Sequence, residues 1–199
     1  MTLGKSWDAY CKKNGIQNGG AASCDNYLIA NNFINNIVAA KSTTTLTSTF
    51  AACGIRIFAG STLMRIVNNT IVVNAAQAGT TANYVSHGVV FTATTPTVSQ
   101  FLNNIVVNNN TGAGTYAMYS ASNNIWTTAV VNNNNYYVPN GLIGYYNGSN
   151  QATMANWQAA IGQDANSFNV APNFVSVNDI HITSAATPLE SAGAPVSIT

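Results

Sequence analysis

Charge is the scarcest commodity in this chain. Of 199 residues only six are Lys or Arg and five Asp or Glu, so charged residues are 6% of the total, against a usual share of about 25%. A net charge of +1 gives no field to steer nucleic acid or an anionic membrane, and the one basic doublet is Lys12-Lys13. The shortage of carboxylates also limits chemistry. Glycosidic hydrolysis usually needs two of them across a cleft, and lyase chemistry needs a base, commonly beside calcium. The acidic residues are Asp8, Asp25, Asp164, Asp179 and Glu190, and none lies between Ile29 and Tyr146. No cofactor or metal is expected. Apolar runs are short, so no stretch is long enough to span a bilayer. The first twenty residues lack the apolar middle of a signal peptide; either a signal has been removed or the chain is a segment of a longer one.

Cysteine is nearly absent too. Cys11, Cys24 and Cys53 have no CxxC spacing, and the two histidines, His87 and His181, are distant in sequence, which makes a zinc site improbable. A Cys11–Cys24 disulfide is plausible in an oxidising compartment. Cys53 is then left over, either buried in a coil or able to bond a neighbouring subunit.

In place of charge the chain carries Asn, Thr, Ser and Gly, with enough Val, Ile, Tyr and Phe to rule out disorder. One phrase recurs: an apolar run, two asparagines, a second apolar run. It reads YLIANNFINNIV at Tyr27–Val38, LMRIVNNTIVVN at Leu63–Asn74 and SQFLNNIVVNNN at Ser99–Asn110. The pairs Asn31-Asn32, Asn68-Asn69 and Asn103-Asn104 hold equivalent places, with steps of 37 and 35 residues. A period of this length marks a solenoid, in which each unit covers its neighbour's apolar face. Three short β-rich runs per period, such as Ile55–Phe58, Leu63–Val67 and Ile71–Val73, predict one coil of a parallel β-helix rather than a sandwich. Asn tolerates the left-handed conformation of a sharp bend. Equivalent Asn residues can also stack about 4.8 Å apart with amides bonded in a ladder.

The expected architecture is all-β, a right-handed parallel β-helix of about five coils. Residues 1–26 read as a lead-in or cap, with Trp7 and Tyr10 over the open end. Residues 27–146 read as coils, with polar loops at Lys41–Thr49, Ala75–Ser86 and Asn110–Thr115 leaving one corner. Residues 147–199 hold the last coil, a short helix at Met154–Gly162 with Met154, Trp157 and Ile161 on one face, two strands in FNVAPNFV and DIHIT, and a closing segment.

The tail carries a family resemblance. NWQAAIGQDANS at Asn156–Ser167, APNFVSVNDIHI at Ala171–Ile182 and TPLESAGAP at Thr187–Pro195 resemble the closing module of secreted right-handed β-helix repeat proteins common in Bacteroidetes. The likeness spans nearly all of Tyr27–Val196, with its specific motifs in the tail. Ala171 stands where that family usually has Asp, and the chain stops before the family's usual acidic continuation. The resemblance implies an exported or cell-surface β-helix whose relatives include carbohydrate-active and adhesive modules. In that family context Asp164 hydrogen-bonds a turn.

Functional candidates are few. Asp179 and His181 alternate along DIHIT and could pair as base and orienter, although a surface pair is the commoner outcome. His87 reads as a loop residue, and Arg56 and Arg65 as strand-edge solubility devices. Trp126, Tyr136, Tyr137, Tyr145 and Tyr146 could form a sugar-stacking platform or be strand filler. The Thr-rich phrases STTTLTSTF and TATTPTVS sit in loops of unequal spacing and do not make an ice-binding face. Sequons occur at Asn68, Asn109 and Asn147. The expected role is a non-catalytic structural or adhesive element of a bacterial surface, self-associating head-to-tail into a filament through charge-poor ends. The alternative is a carbohydrate-binding or carbohydrate-active β-helix that engages surface glycans.

Overall fold

A computed structural model describes residues 14–18, 26–38, 52–57, 62–74, 85–92, 98–111, 114–123, 126, 129–183 and 187–196. The strands come in sets of three. The first circuit is β1 (Asn14–Asn18), β2 (Leu28–Ala30) and β3 (Phe33–Val38), and the second is β4 (Ala52–Ile57), β5 (Met64–Val67) and β6 (Thr70–Asn74). The third is β7 (Ser86–Phe91), β8 (Val98–Leu102) and β9 (Ile105–Asn108), and the fourth is β10 (Thr115–Ser120), β11 (Val130–Asn132) and β12 (Asn135–Tyr137). A fifth begins with β13 (Leu142–Tyr146), doubles back in β14 (Ser149–Gln151) and enters helix α1 (Met154–Ile161).

Like strands of successive circuits pair into three sheets: β1-β4-β7-β10-β13-β14, β2-β5-β8-β11 and β3-β6-β9-β12. Every pairing is parallel except the β13–β14 hairpin. That hairpin turns on Asn147 (φ 46°) and Gly148 (φ 85°), the two positive-φ residues that a tight turn matched to strand twist requires. The connections 39–51, 75–85 and 109–114 all join sheet three to sheet one, so they leave one corner.

The interior is filled by columns of like side chains. Ile34, Ile71, Val106 and Tyr136 are register partners along sheet three, all buried. Facing them, Gly15, Gly54, Gly88 and Ala117 share one register position of sheet one. A Cβ on Gly54 would lie 2.1 Å from Ile71 Cγ2, and one on Gly88 would lie 2.1 Å from Val106 Cγ1. The small column therefore exists to admit the large one. Each buried Ile or Val is worth about 1.5–3 kcal/mol relative to exposure, so a mismatch in this column is costly.

Three expectations need correction. Within the 1–26 lead-in, Asn14–Asn18 is a strand of sheet one, because pairing to β4 supplies the order that a single apolar residue, Ile16, does not; Trp7 and Tyr10 lie outside the described residues. FNVAPNFV and DIHIT form no named strands, only the isolated bridges Asn135–Phe168 and Phe174–Ile182. The segment around them instead folds back over sheet three, where Ile180 and Phe174 pack against Val72, Val107 and Tyr137. Finally, Arg56 and His87 are no edge or loop residues: they sit in β4 and β7, 4% and 0% exposed.

Candidate functional site

The asparagine pairs divide their labour. Asn31, Asn68, Asn103 and Asn133 adopt φ of 56–57°, turning the chain from sheet two into sheet three. Their neighbours face inward and bond rung to rung. Asn32 donates its backbone N–H (3.1 Å) and Nδ2 (2.8 Å) to Asn69 Oδ1. Asn69 does the same to Asn104 Oδ1, at 3.1 and 3.0 Å. Asn104 does the same to Asn134 Oδ1, at 2.9 and 3.1 Å. Asn134 donates its Nδ2 to Asp164 Oδ1 at 3.1 Å.

Asp164 ends this series, and nearly every polar group of NWQAAIGQDANS serves that end. Its Oδ1 also accepts from Ser167 Oγ, and its Oδ2 accepts from Tyr136 Oη (2.7 Å) and Trp157 Nε1 (2.8 Å). Burial and the adjacent Asp164 carboxylate push the Tyr136 phenol well above its ordinary value. Thr153 caps α1 by accepting from Asn156 N at 3.2 Å, and Gly162 closes it at φ 69°. Gln158 Nε2 donates to Asp164 O. Gln163 accepts from Val131 N and donates to Trp126 O, while Ser167 Oγ accepts from Asn134 N. The edges of β11 and β12 are thereby paired instead of open. Buried Trp157 plugs the core beneath.

The other candidates scatter. Asp179 and His181 do meet, Oδ1 to Nδ1 at 2.5 Å, but they stand 47% and 67% exposed on the returned segment. The hydrogen bond from His181 holds the Asp179 carboxyl below its ordinary value. His181 also sets its ring edge-on to Phe33. Among the described residues, no third His, Cys, Asp or Glu joins them to hold a metal.

The five aromatics form no platform. Trp126 is interior, edge-on to Phe91, Phe101 and Trp157, and Tyr136 is interior beside it. Tyr137 lies outside sheet three beneath Phe174 and Ile180. Tyr145 lies outside sheet one with a face already stacked on Tyr119 at 4.8 Å. Tyr146 packs on the core and donates to Asn123 O.

Cys53 is fully buried beside Val90, and burial pushes its thiol up to about 12, so it is not placed to bond a neighbouring subunit. Cys11 and Cys24 lie outside the described residues, as do most of the Thr-rich phrases. Arg65 donates to Asn26 Oδ1 at 3.1 Å. Of the three sequons, Asn147 is exposed at a hairpin tip, Asn68 turns a corner and Asn109 is half-buried.

Sequence reasoning missed the fourth rung and the terminus. Asn133-Asn134 hides in a run of four asparagines, yet the spacings Asn104 to Asn134 and Asn134 to Asp164 are both 30 residues. That equality is the signal. It also missed a cleft between sheet three and the returned segment, lined by Val72, Asn74, Asn109, Phe174, Ser176, Val177 and Ile180. No protein-family model, no curated protein and no solved structure matches the chain.

Proposed function

We propose that the chain is a right-handed parallel β-helix, exported, that serves without catalysis as a structural or adhesive module of a bacterial surface. The three parallel sheets visited in turn support the β-helix, and connections between parallel strands of one sheet are right-handed in about 98% of cases. The amide- and hydroxyl-rich, charge-poor composition and the resemblance of the tail support export.

One observation carries the non-catalytic reading. Asp164, the buried acidic residue among those described, is saturated by four donors from its own chain. A saturated carboxylate has nothing left with which to take a substrate's proton. The C-terminal end is closed by the Asp164 module and antiparallel β14. At the other end Ile29, Ile34 and Ile37 of the first circuit are only 4–7% exposed. Among the described residues β1, β2 and β3 stand at the edges of their sheets, so end-to-end contact on that side stays part of the proposal beside contact through the lateral faces.

The test pairs two assays on the purified full chain: binding to polysaccharide-coated surfaces, and release of reducing or unsaturated ends. Retention without turnover is the expected outcome. Turnover abolished by Asp179→Asn would establish the carbohydrate-active alternative. Fibres under electron microscopy would establish end-to-end assembly.

A further inference from the structure

We infer that the cleft between sheet three and the returned 174–180 segment is a binding site for a neutral sugar ring. This inference rests on the adhesive reading and gives it a place on the molecule. The cleft, open to solvent along one side, offers about 460 Å³, within the range of small-ligand sites. Its walls differ in kind. Val72, Ile180 and Phe174 form an apolar side, with Val177 at the rim 77% exposed. Asn74, Asn109 and Ser176 form a polar one.

Those polar groups retain bonding capacity. Asn109 uses its backbone N–H on Val73 O at 2.9 Å, while its half-buried side-chain amide has no hydrogen bond among the described residues. Ser176 Oγ accepts from the backbone of Asn178 and Asp179, which leaves its hydroxyl proton to donate. Asn74 donates Nδ2 to Asn36 Oδ1 and keeps its own oxygen as an acceptor.

The chemistry of the lining selects the ligand. Among the described residues no charged side chain lines the cleft, and the charged groups of the same segment, Asp179 and His181, are bound to each other. An ion would surrender hydration without finding a counter-charge. A wholly apolar ligand would cover the Asn109 amide and the Ser176 hydroxyl proton without giving either a partner, at a cost of the same order as a lost hydrogen bond. A pyranose ring satisfies both walls: its C–H face lies on Phe174 and the aliphatic residues, and its hydroxyls reach Asn109, Asn74 and Ser176.

Saturation-transfer NMR on the full chain tests this, with neutral hexoses and N-acetylhexosamines and their oligomers as probes and uronate oligomers as the charged comparison. Transfer to ring C–H protons of a neutral saccharide is expected, insensitive to added salt. Asn109→Ala, with an unchanged melting curve, should weaken binding about tenfold, the effect of one hydrogen bond in a desolvated site. Val177→Asp, at an exposed rim position that cannot disturb the core, should weaken it at least as much, and Asn147→Ala at the distant hairpin should not. Silence from every neutral saccharide overturns the inference, as does binding confined to uronates or wild-type affinity in both cleft variants. Saccharide binding that ignores the cleft variants would sink this site while leaving the adhesive reading intact. Turnover of a bound saccharide would sink the adhesive reading itself.

Discussion

Asp164→Asn is the substitution that separates a structural carboxylate from a dispensable one. The side chain is 1% exposed and receives four donors: Asn134 Nδ2, Ser167 Oγ, Tyr136 Oη and Trp157 Nε1. An amide has one acceptor oxygen where the carboxylate has two. With the amide nitrogen on the Oδ2 side, Tyr136 can rotate its hydroxyl to accept, but the indole N–H of Trp157 is left facing a donor. With the nitrogen on the Oδ1 side, Ser167 can rotate, but Asn134 Nδ2 is orphaned. Either flip strands one buried N–H, at about 1–3 kcal/mol, and weakens the remaining charge-assisted bonds. Relief from burying a charge offsets part of this. The net expectation is a loss of about 2–3 kcal/mol, or about 5–10 °C in Tm for a chain of this length. Urea unfolding followed by circular dichroism measures it, with Asp179→Asn as the exposed control, expected to stay within about 0.5 kcal/mol. If Asp164→Asn also stays within about 0.5 kcal/mol at an unchanged denaturant slope, the ladder does not depend on a terminating acceptor and the reasoning fails.

Gly88→Ala would place a Cβ 2.1 Å from Val106 Cγ1 and 2.7 Å from Ala117 O; it should cost at least about 2 kcal/mol, with partial rescue by Val106→Ala in a double-mutant cycle. Leu63 holds φ 53° while 58% exposed, at the register position of Asn26 (φ 56°). Leu63→Asn should therefore stabilise by about 0.5–1 kcal/mol in thermal melts. Burial lowers the His87 imidazole from 6.5 to about 3, a fall that the Ser86 backbone only partly offsets. Its folded value lies below its unfolded one, so stability is complete above pH 6.5 and falls as the pH drops toward 3, because the unfolded chain binds the proton first. In His87→Phe that decline should flatten, read from urea midpoints across the same range.

The repeat was legible because identical residues recur at one place in the period, and a short β-rich run on each side gives the phrase its register. Legibility failed where pairing rather than composition decides. Asn14–Asn18 has Ile16 as its single apolar residue, and β4 beside it makes it a strand. The run Asn132–Asn135 offers four identical residues and no internal register. Facing directions were hidden as well. Gly88 and Val89 both point into the core, so strict alternation breaks within β7, and His87 and Val90 fall on an outer face that is itself buried. Trp126 and Tyr136 were open to a surface reading because nothing in their local sequence says which parity is inward. The Asp179–His181 pairing, by contrast, follows from simple i, i+2 spacing, and so does its exposure in a tail segment.

The polarity of the asparagine ladder explains why a chain so poor in charge holds a buried carboxylate. Asn32, Asn69 and Asn104 each donate two hydrogens to the oxygen of the next rung and Asn134 donates one to Asp164, so an asparagine can always be followed by another. Such a series can propagate toward the C-terminus, and a group that accepts and gives nothing back stops it. A carboxylate meets that requirement, with two oxygens and no hydrogen to pass on. Asp164 therefore terminates the ladder, while Trp157, Tyr136 and Ser167 supply the donors that fill its remaining lone pairs. Burial beside a histidine-free aromatic cluster would ordinarily mark such a residue as a catalytic acid or base. Here the buried carboxylate is met by four donors of its own chain, which is the mark of an end point.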